Sequence, residues 1–169
     1  VKYLENMGFS RVVLARELSE KEIEHICKNA KAEIEVFVHG AICMCYSGQC
    51  LMSSILGGRS GNRGRCAQPC RLPYDLLENG KTVKSGYVLS PKDMALVNDL
   101  ETLKRIGVTS LKIEGRLKRA EYVSAVVGVY RKYLDKGGNV SKKDMQELLD
   151  AFSRTGFTDG YFKGNLGKN

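Results

Sequence analysis

The chain reads as an α/β protein, and more narrowly as part of a (β/α) TIM-type barrel with a cysteine-rich loop and a small β-hairpin insertion. Three observations predict this. Short apolar or alternating runs, VVLA at 12–15, EIEVFVHG at 33–40 and TSLKIEG at 109–115, alternate with amphipathic helical stretches. The first two runs flank one helix through short connections, which is a βαβ unit and implies a parallel sheet. The strands also end in polar groups: Arg16 and Glu17, then His39, then Glu114 and Arg116. In a (β/α) barrel the C-terminal ends of strands carry function. A complete barrel needs about 250 residues, so 169 residues hold only a portion.

The elements follow in order. The start, VKYLENMGFSRVVLARELS, reads as the tail of a helix and then a strand, without a capped beginning. SEKEIEHICKNA has Ser19 as N-cap and Glu22 three residues on, a capping-box spacing, with Ile23, Ile26 and Cys27 on one helical face. Residues 41–72 form a cysteine-rich loop without sustained period, in which LMSSILGG has room for a short helix. PYDLLENGKTVKSGYVLS is a hairpin turning at Asn79-Gly80. Ser90-Pro91 caps a helix over PKDMALVNDLETLKRIG, ended by Gly107. RAEYVSAVVGVYRKYLDKG is a long helix burying Tyr122, Val126, Val129, Tyr130 and Tyr133. A helical segment capped by Ser141 closes the chain over 141–169, which stops after a Gly-rich turn. Both ends suit a piece of a longer protein, so 1–169 is expected to be the C-terminal portion of a barrel domain.

Composition excludes several classes. No run approaches the roughly 18 apolar residues of a membrane span, and no secretory signal pattern opens the chain. A cytoplasmic protein is expected, in which six cysteines point to metal or redox chemistry before a disulfide framework. Net charge is +8. From Val36 to Tyr74 there is no Asp or Glu, while Arg59, Arg63, Arg65 and Arg71 fall in that window, a distribution suited to meeting an anion. No Ser-His-Asp arrangement, HExxH motif or P-loop is present.

The cysteines run Cys43-x6-Cys50-x15-Cys66-x3-Cys70, with Cys45 extra. Structural zinc sites use two tight C-x2-4-C knuckles, and only the last pair resembles one. Iron–sulfur clusters accept looser spacing because each thiolate meets a different iron. The spacing therefore favours a cluster over zinc, with disulfides a third possibility. Cys27 belongs to a helix face and reads as core. At the strand ends, Glu35, His39 and Glu114 are the candidate catalytic residues. Glu35 faces inward beside Phe37 and needs a cationic partner, for which Lys112 or Arg116 is the candidate. Lys112 and Arg116 also read as a substrate-binding patch with Glu114.

EVFVHGAICMCYSGQCLMS resembles the signature of the peptidase U32 family, matching at Glu35, Phe37, Gly40, Ala41, Ile42, Cys43, Ser47, Gly48, Cys50 and Ser53. GGRSGNRGRCAQPCRLPY and LKIEGRLKRAEYVSAVVGVYR resemble its downstream blocks, so the likeness covers nearly the whole chain. The family name implies a collagenase-like protease. Other members, however, hydroxylate RNA bases or a quinone precursor, on a four-iron cluster held by four cysteines, and the RNA enzymes depend on prephenate. The arginine block is most similar to the branch that makes 5-hydroxycytidine in 23S ribosomal RNA, beside a tRNA uridine hydroxylase branch. Carried onto this chain, the resemblance makes Cys43, Cys50, Cys66 and Cys70 the cluster ligands; Cys45 has no counterpart in the signature and is either a substitute ligand or a bystander. The resemblance implies a further N-terminal half-barrel and an RNA substrate, rRNA or tRNA, and the charge distribution makes Arg59, Arg63, Arg65, Arg71, Lys112 and Arg116 the residues expected to hold it. The rival expectations are a peptidase and a zinc-stabilised RNA-binding module. Target nucleotide, oxygen donor and oligomeric state are not encoded legibly.

Overall fold

The computed structural model describes residues 1–116 and 118–165. In chain order, α1 (Lys2–Asn6), β1 (Arg11–Val13), α2 (Glu20–Asn29) and β2 (Glu33–Ala41) come first. Residues 43–91 then form a separate unit with α3 (Met52–Gly57), β3 (Tyr74–Glu78) and β4 (Lys81–Gly86). Residues 92 onward rejoin the first segment with β5 (Asp93–Ala95), α4 (Leu100–Arg105), β6 (Ser110–Ile113), α5 (Ala120–Lys136), α6 (Lys142–Ala151) and β7 (Phe157–Thr158).

In the unit built from 1–42 and 92–165, β2 is the central strand. It pairs in parallel with β1 through Arg11–Val13 against Glu33–Glu35, and in parallel with β6 through Glu35–His39 against Ser110–Ile113. Its last residues, His39–Ala41, pair antiparallel with β5, which pairs in parallel with β7. Since β6 overlaps both β1 and β5 along β2, the last two share the opposite edge end to end. The sheet is therefore mixed and open among the described residues, where sequence reading expected parallel strands of a barrel.

Alternation along β2 sorts its faces. Ile34, Val36 and Val38 are buried, and with Val12 and Leu14 they meet Leu103 of α4 and Val126, Val129 and Tyr130 of α5 in one core. Glu35 and Phe37 lie on the other, half-buried face.

The expected helix over 91–107 begins late: Asp93–Ala95 are a strand, a 3-10 turn covers Val97–Asp99, and α4 starts at Leu100. The reason is long-range. Asp93 is buried, taking the Arg154 guanidinium at 2.5 Å and the Arg154 N–H at 3.1 Å, and this holds the segment in the sheet. The capping box at Ser19 and Glu22 forms as the spacing predicts. So does the hairpin, with Asn79 at φ 49° and Gly80 at φ 78° in its two-residue turn. The terminal segment holds α6, but 153–165 is mostly turn, and 166–169 lie outside the described residues. No described helix is long and apolar enough to cross a membrane.

Candidate functional site

The unit of residues 43–91 carries five of the six cysteines. All are half-buried and none is in a disulfide. Local hydrogen bonds draw their separate loops together. Asn62 donates to the Gly48 carbonyl at 2.8 Å, joining the arginine loop to CYSGQC. The buried Ser53 hydroxyl, on α3 just after Cys50, accepts from the Ala67 N–H at 2.9 Å beside Cys66. Tyr74 donates to the Pro69 carbonyl at 3.0 Å, pinning the turn that carries Cys70. Gln68 takes φ 58°, uncommon for a residue with a side chain, and its N–H donates to the Cys66 sulfur at 3.3 Å.

Cys70 senses three other thiols. Burial pushes the Cys70 thiol up, Arg71 counters it, and Cys43, Cys66 and Cys50 each push it further up. Cys45 takes no part in that set. Yet among the described residues no three His, Cys, Asp or Glu side chains converge tightly enough to hold a single metal ion. Zinc would draw its four sulfurs to within about 3.8 Å of one another at its usual bond length.

The arginines divide. Arg59, Arg63 and Arg65 are exposed, with Arg59 Nε donating to the Arg65 carbonyl at 3.0 Å. Arg71 is half-buried and donates to Ser90 Oγ at 2.8 Å and the Pro91 carbonyl at 2.7 Å, so its role includes holding its own unit.

The other unit carries the strand-end residues. Glu35 is 13% exposed and accepts from Ser110 Oγ at 2.7 Å and Lys112 Nζ at 3.0 Å, with Arg11 at 3.8 Å. Ser110 and then Lys112 hold its carboxyl below the usual range. Lys112 is therefore the partner that sequence reading sought, while Arg116 sits exposed in the turn after β6. Arg16 donates to Glu114 at 2.9 Å and lies 3.9 Å above the Phe37 ring centroid. Sequence reading placed Arg16 at a strand end but missed this pairing, whose partners are 98 residues apart.

Gly40 explains the close strand contact here. Its φ is +113°, and a Cβ on it would meet Glu114 Cβ at 2.6 Å.

His39 is 2% exposed, against the rings of Phe157, Tyr130 and Tyr122. The Tyr130 hydroxyl donates to the Val38 carbonyl at 2.8 Å and accepts from the Leu96 N–H at 3.2 Å. With its one proton used, it can only accept from His39 Nδ1, 3.3 Å away. That fixes the Nδ1–H tautomer and leaves Nε2 without a hydrogen-bond partner among the described residues. Burial lowers the His39 pKa to about 4, Asp93 opposing and Lys118 assisting.

A separate cavity of about 990 Å³ opens between α5 and α6. It mixes Lys118, Arg119 and Lys143 with Glu121, Glu147 and Asp150 and so favours neither charge.

The model of peptidase family U32 matches residues 1–169. The chain belongs to that family. Among curated relatives, a tRNA hydroxylation protein of Bacillus subtilis (strain 168) is 38% identical over 180 residues, covering 99% of this chain and 43% of the relative. A 23S rRNA 5-hydroxycytidine synthase of Escherichia coli (strain K12) is 46% identical over 136 residues, 79% of this chain and 21% of the relative. A collagenase of Porphyromonas gingivalis is 36% identical over 150 residues, 83% of this chain and 41% of the relative. The chain therefore spans less than half the length of these relatives. No solved structure matches it.

Proposed function

We propose that this U32 chain is part of an enzyme that hydroxylates a base in RNA, a cytidine of 23S rRNA or a uridine of tRNA, in the cytoplasm. The observation that carries the reading is the likeness to relatives named for tRNA hydroxylation and 5-hydroxycytidine synthesis, one of them across 99% of the chain. The fold proposed for the whole protein is a TIM-type barrel, of which residues 1–169 form the C-terminal portion. In this proposal an N-terminal half-barrel, as the family resemblance implies, completes it.

In this reading Cys43, Cys50, Cys66 and Cys70 hold a four-iron cluster, and Cys45 stands outside the set. Support comes from four half-buried free thiols on loops tied together by hydrogen bonds, with Cys43, Cys66 and Cys50 each pushing the Cys70 thiol up. Bound there, the cluster supplies redox chemistry for a reaction that replaces a base C–H with C–OH. Prephenate is the proposed co-substrate. The Gln68 amide, aimed at the Cys66 sulfur, stabilises negative charge on that ligand. Arg59, Arg63 and Arg65, exposed in an acid-free loop, hold RNA phosphates.

The collagenase-named relatives leave a peptidase as the rival. Glu35 is ion-paired and His39 is enclosed by aromatic rings, so neither stands ready to activate water. Mass spectrometry of rRNA and tRNA nucleosides tests the function, comparing a strain deleted for the complete gene with one complemented by wild-type or Cys66→Ser alleles. A hydroxylated pyrimidine that vanishes on deletion and returns only with the wild-type allele is expected. An unchanged nucleoside profile on deletion contradicts the proposal.

A further inference from the structure

We infer that the half-buried sheet face formed by Arg16, Phe37, Lys112 and Glu114 is a stacking platform for an uncharged base ring of RNA and not a phosphate clamp. The inference rests on the RNA reading above and adds which chemical part of the RNA this face takes.

Charge decides first. Arg11, Lys112 and Arg16 each already have a carboxylate partner. Arg11 pairs with Glu33 at 2.6 Å, Lys112 with Glu35 at 3.0 Å, and Arg16 with Glu114 at 2.9 Å. Three cations and three carboxylates leave no surplus positive charge. A phosphate would have to displace a carboxylate already in place, whereas a neutral ring meets no such competitor. The contrast with the acid-free arginine loop at residues 59–65 is direct.

Geometry then decides the shape. The Arg16 guanidinium lies at stacking distance over Phe37, and Lys112 Nζ sits 5.5 Å from the same ring centroid. A guanidinium plane held this way is a surface on which a base stacks. Arg16 is 21% exposed at its side chain and Glu114 is 25% exposed, so the stack is reachable.

The support beneath is rigid. Glu114 donates its N–H to the His39 carbonyl at 2.9 Å, accepts Tyr122 Oη on its own carbonyl at 3.0 Å, and abuts Gly40 where a Cβ has no space. Its carboxylate therefore sets the Arg16 plane. Glu114 is a positioning residue, and Arg16 is the contact.

Fluorescence anisotropy of the complete protein with a short single-stranded RNA, and with a wholly abasic oligomer of tetrahydrofuran phosphates of equal length, tests this. Arg16→Lys keeps the charge and loses the plane. It is expected to weaken RNA about tenfold, while leaving abasic binding and the salt slope unchanged, and Phe37→Leu is expected to do the same. A thermal denaturation midpoint close to wild type reports that both variants are folded. Equal weakening of both oligomers, a shallower salt slope for RNA, or no effect on either overturns the platform while leaving RNA binding intact. Failure of the complete wild-type protein to bind either oligomer overturns the RNA reading, and the platform with it.

Discussion

Gly40 lacks a side chain because Glu114 occupies the space where one would be. Gly40→Ala adds a methyl group against Glu114 at a backbone conformation that side chains avoid, and should cost about 2–4 kcal/mol. Thermal denaturation should show a drop of several degrees, together with weaker RNA binding as Arg16 loses its anchor. His39 makes a pH prediction. Its folded pKa of about 4 lies below its ordinary 6.5, so the unfolded chain binds the extra proton first as pH falls. Stability is full above about pH 6.5 and declines toward pH 4, by about 3 kcal/mol. His39→Asn, which keeps a donor for Tyr130, should flatten stability measured across that window. An unchanged slope would place the titrating group elsewhere. At this scale the sequence showed that Glu35 needed a cation and that the alternation put Phe37 beside it. It did not show Arg16 on Phe37, because that contact depends on strands far apart in the chain. Nor did it show that His39 is walled in, since Phe157 arrives from β7, a two-residue strand too short to leave a pattern.

Among the elements, α6 is fastened to α5 by its own cap. Ser141 Oγ accepts from the Asp144 N–H at 3.1 Å and donates to the Asp144 carboxylate at 2.6 Å, which Lys132 and Tyr133 of α5 also grip. Lys132 first, then Ser141 and Tyr133, hold that carboxyl far below its usual range. Ser141→Ala should cost about 1 kcal/mol, read as a lower denaturant midpoint at unchanged m-value. A loss of m-value instead would mean that α6 detaches as a separate unit. Local chemistry made the Ser141 cap, the Ser19–Glu22 box and the Asn79-Gly80 turn legible. The 91–107 segment misled for the complementary reason. Its propensities are helical, but Asp93 finds Arg154 far along the chain and the segment joins the sheet.

For the whole molecule, charge and cysteine spacing carry most of what the sequence discloses. If Arg59, Arg63 and Arg65 each neutralise one phosphate, changing all three to Gln should make the slope of log affinity against log salt shallower by about 2 for single-stranded RNA. An unchanged slope would assign those arginines to the surface alone. Family membership was legible because the cysteine block is a dense, ordered pattern; architecture was less so, because β5 and β7 are strands of three and two residues whose pairing leaves no periodicity in the sequence. The central claim is that four thiols of residues 43–91 bind one iron–sulfur cluster. It is tested most directly by anaerobic reconstitution, followed by iron and acid-labile sulfide analysis and electron paramagnetic resonance of the reduced protein. The account predicts about four irons and four sulfides per chain, lost on changing Cys43, Cys50, Cys66 or Cys70 to Ser and kept in Cys45→Ser. A colourless protein holding one zinc and no labile sulfide would contradict it.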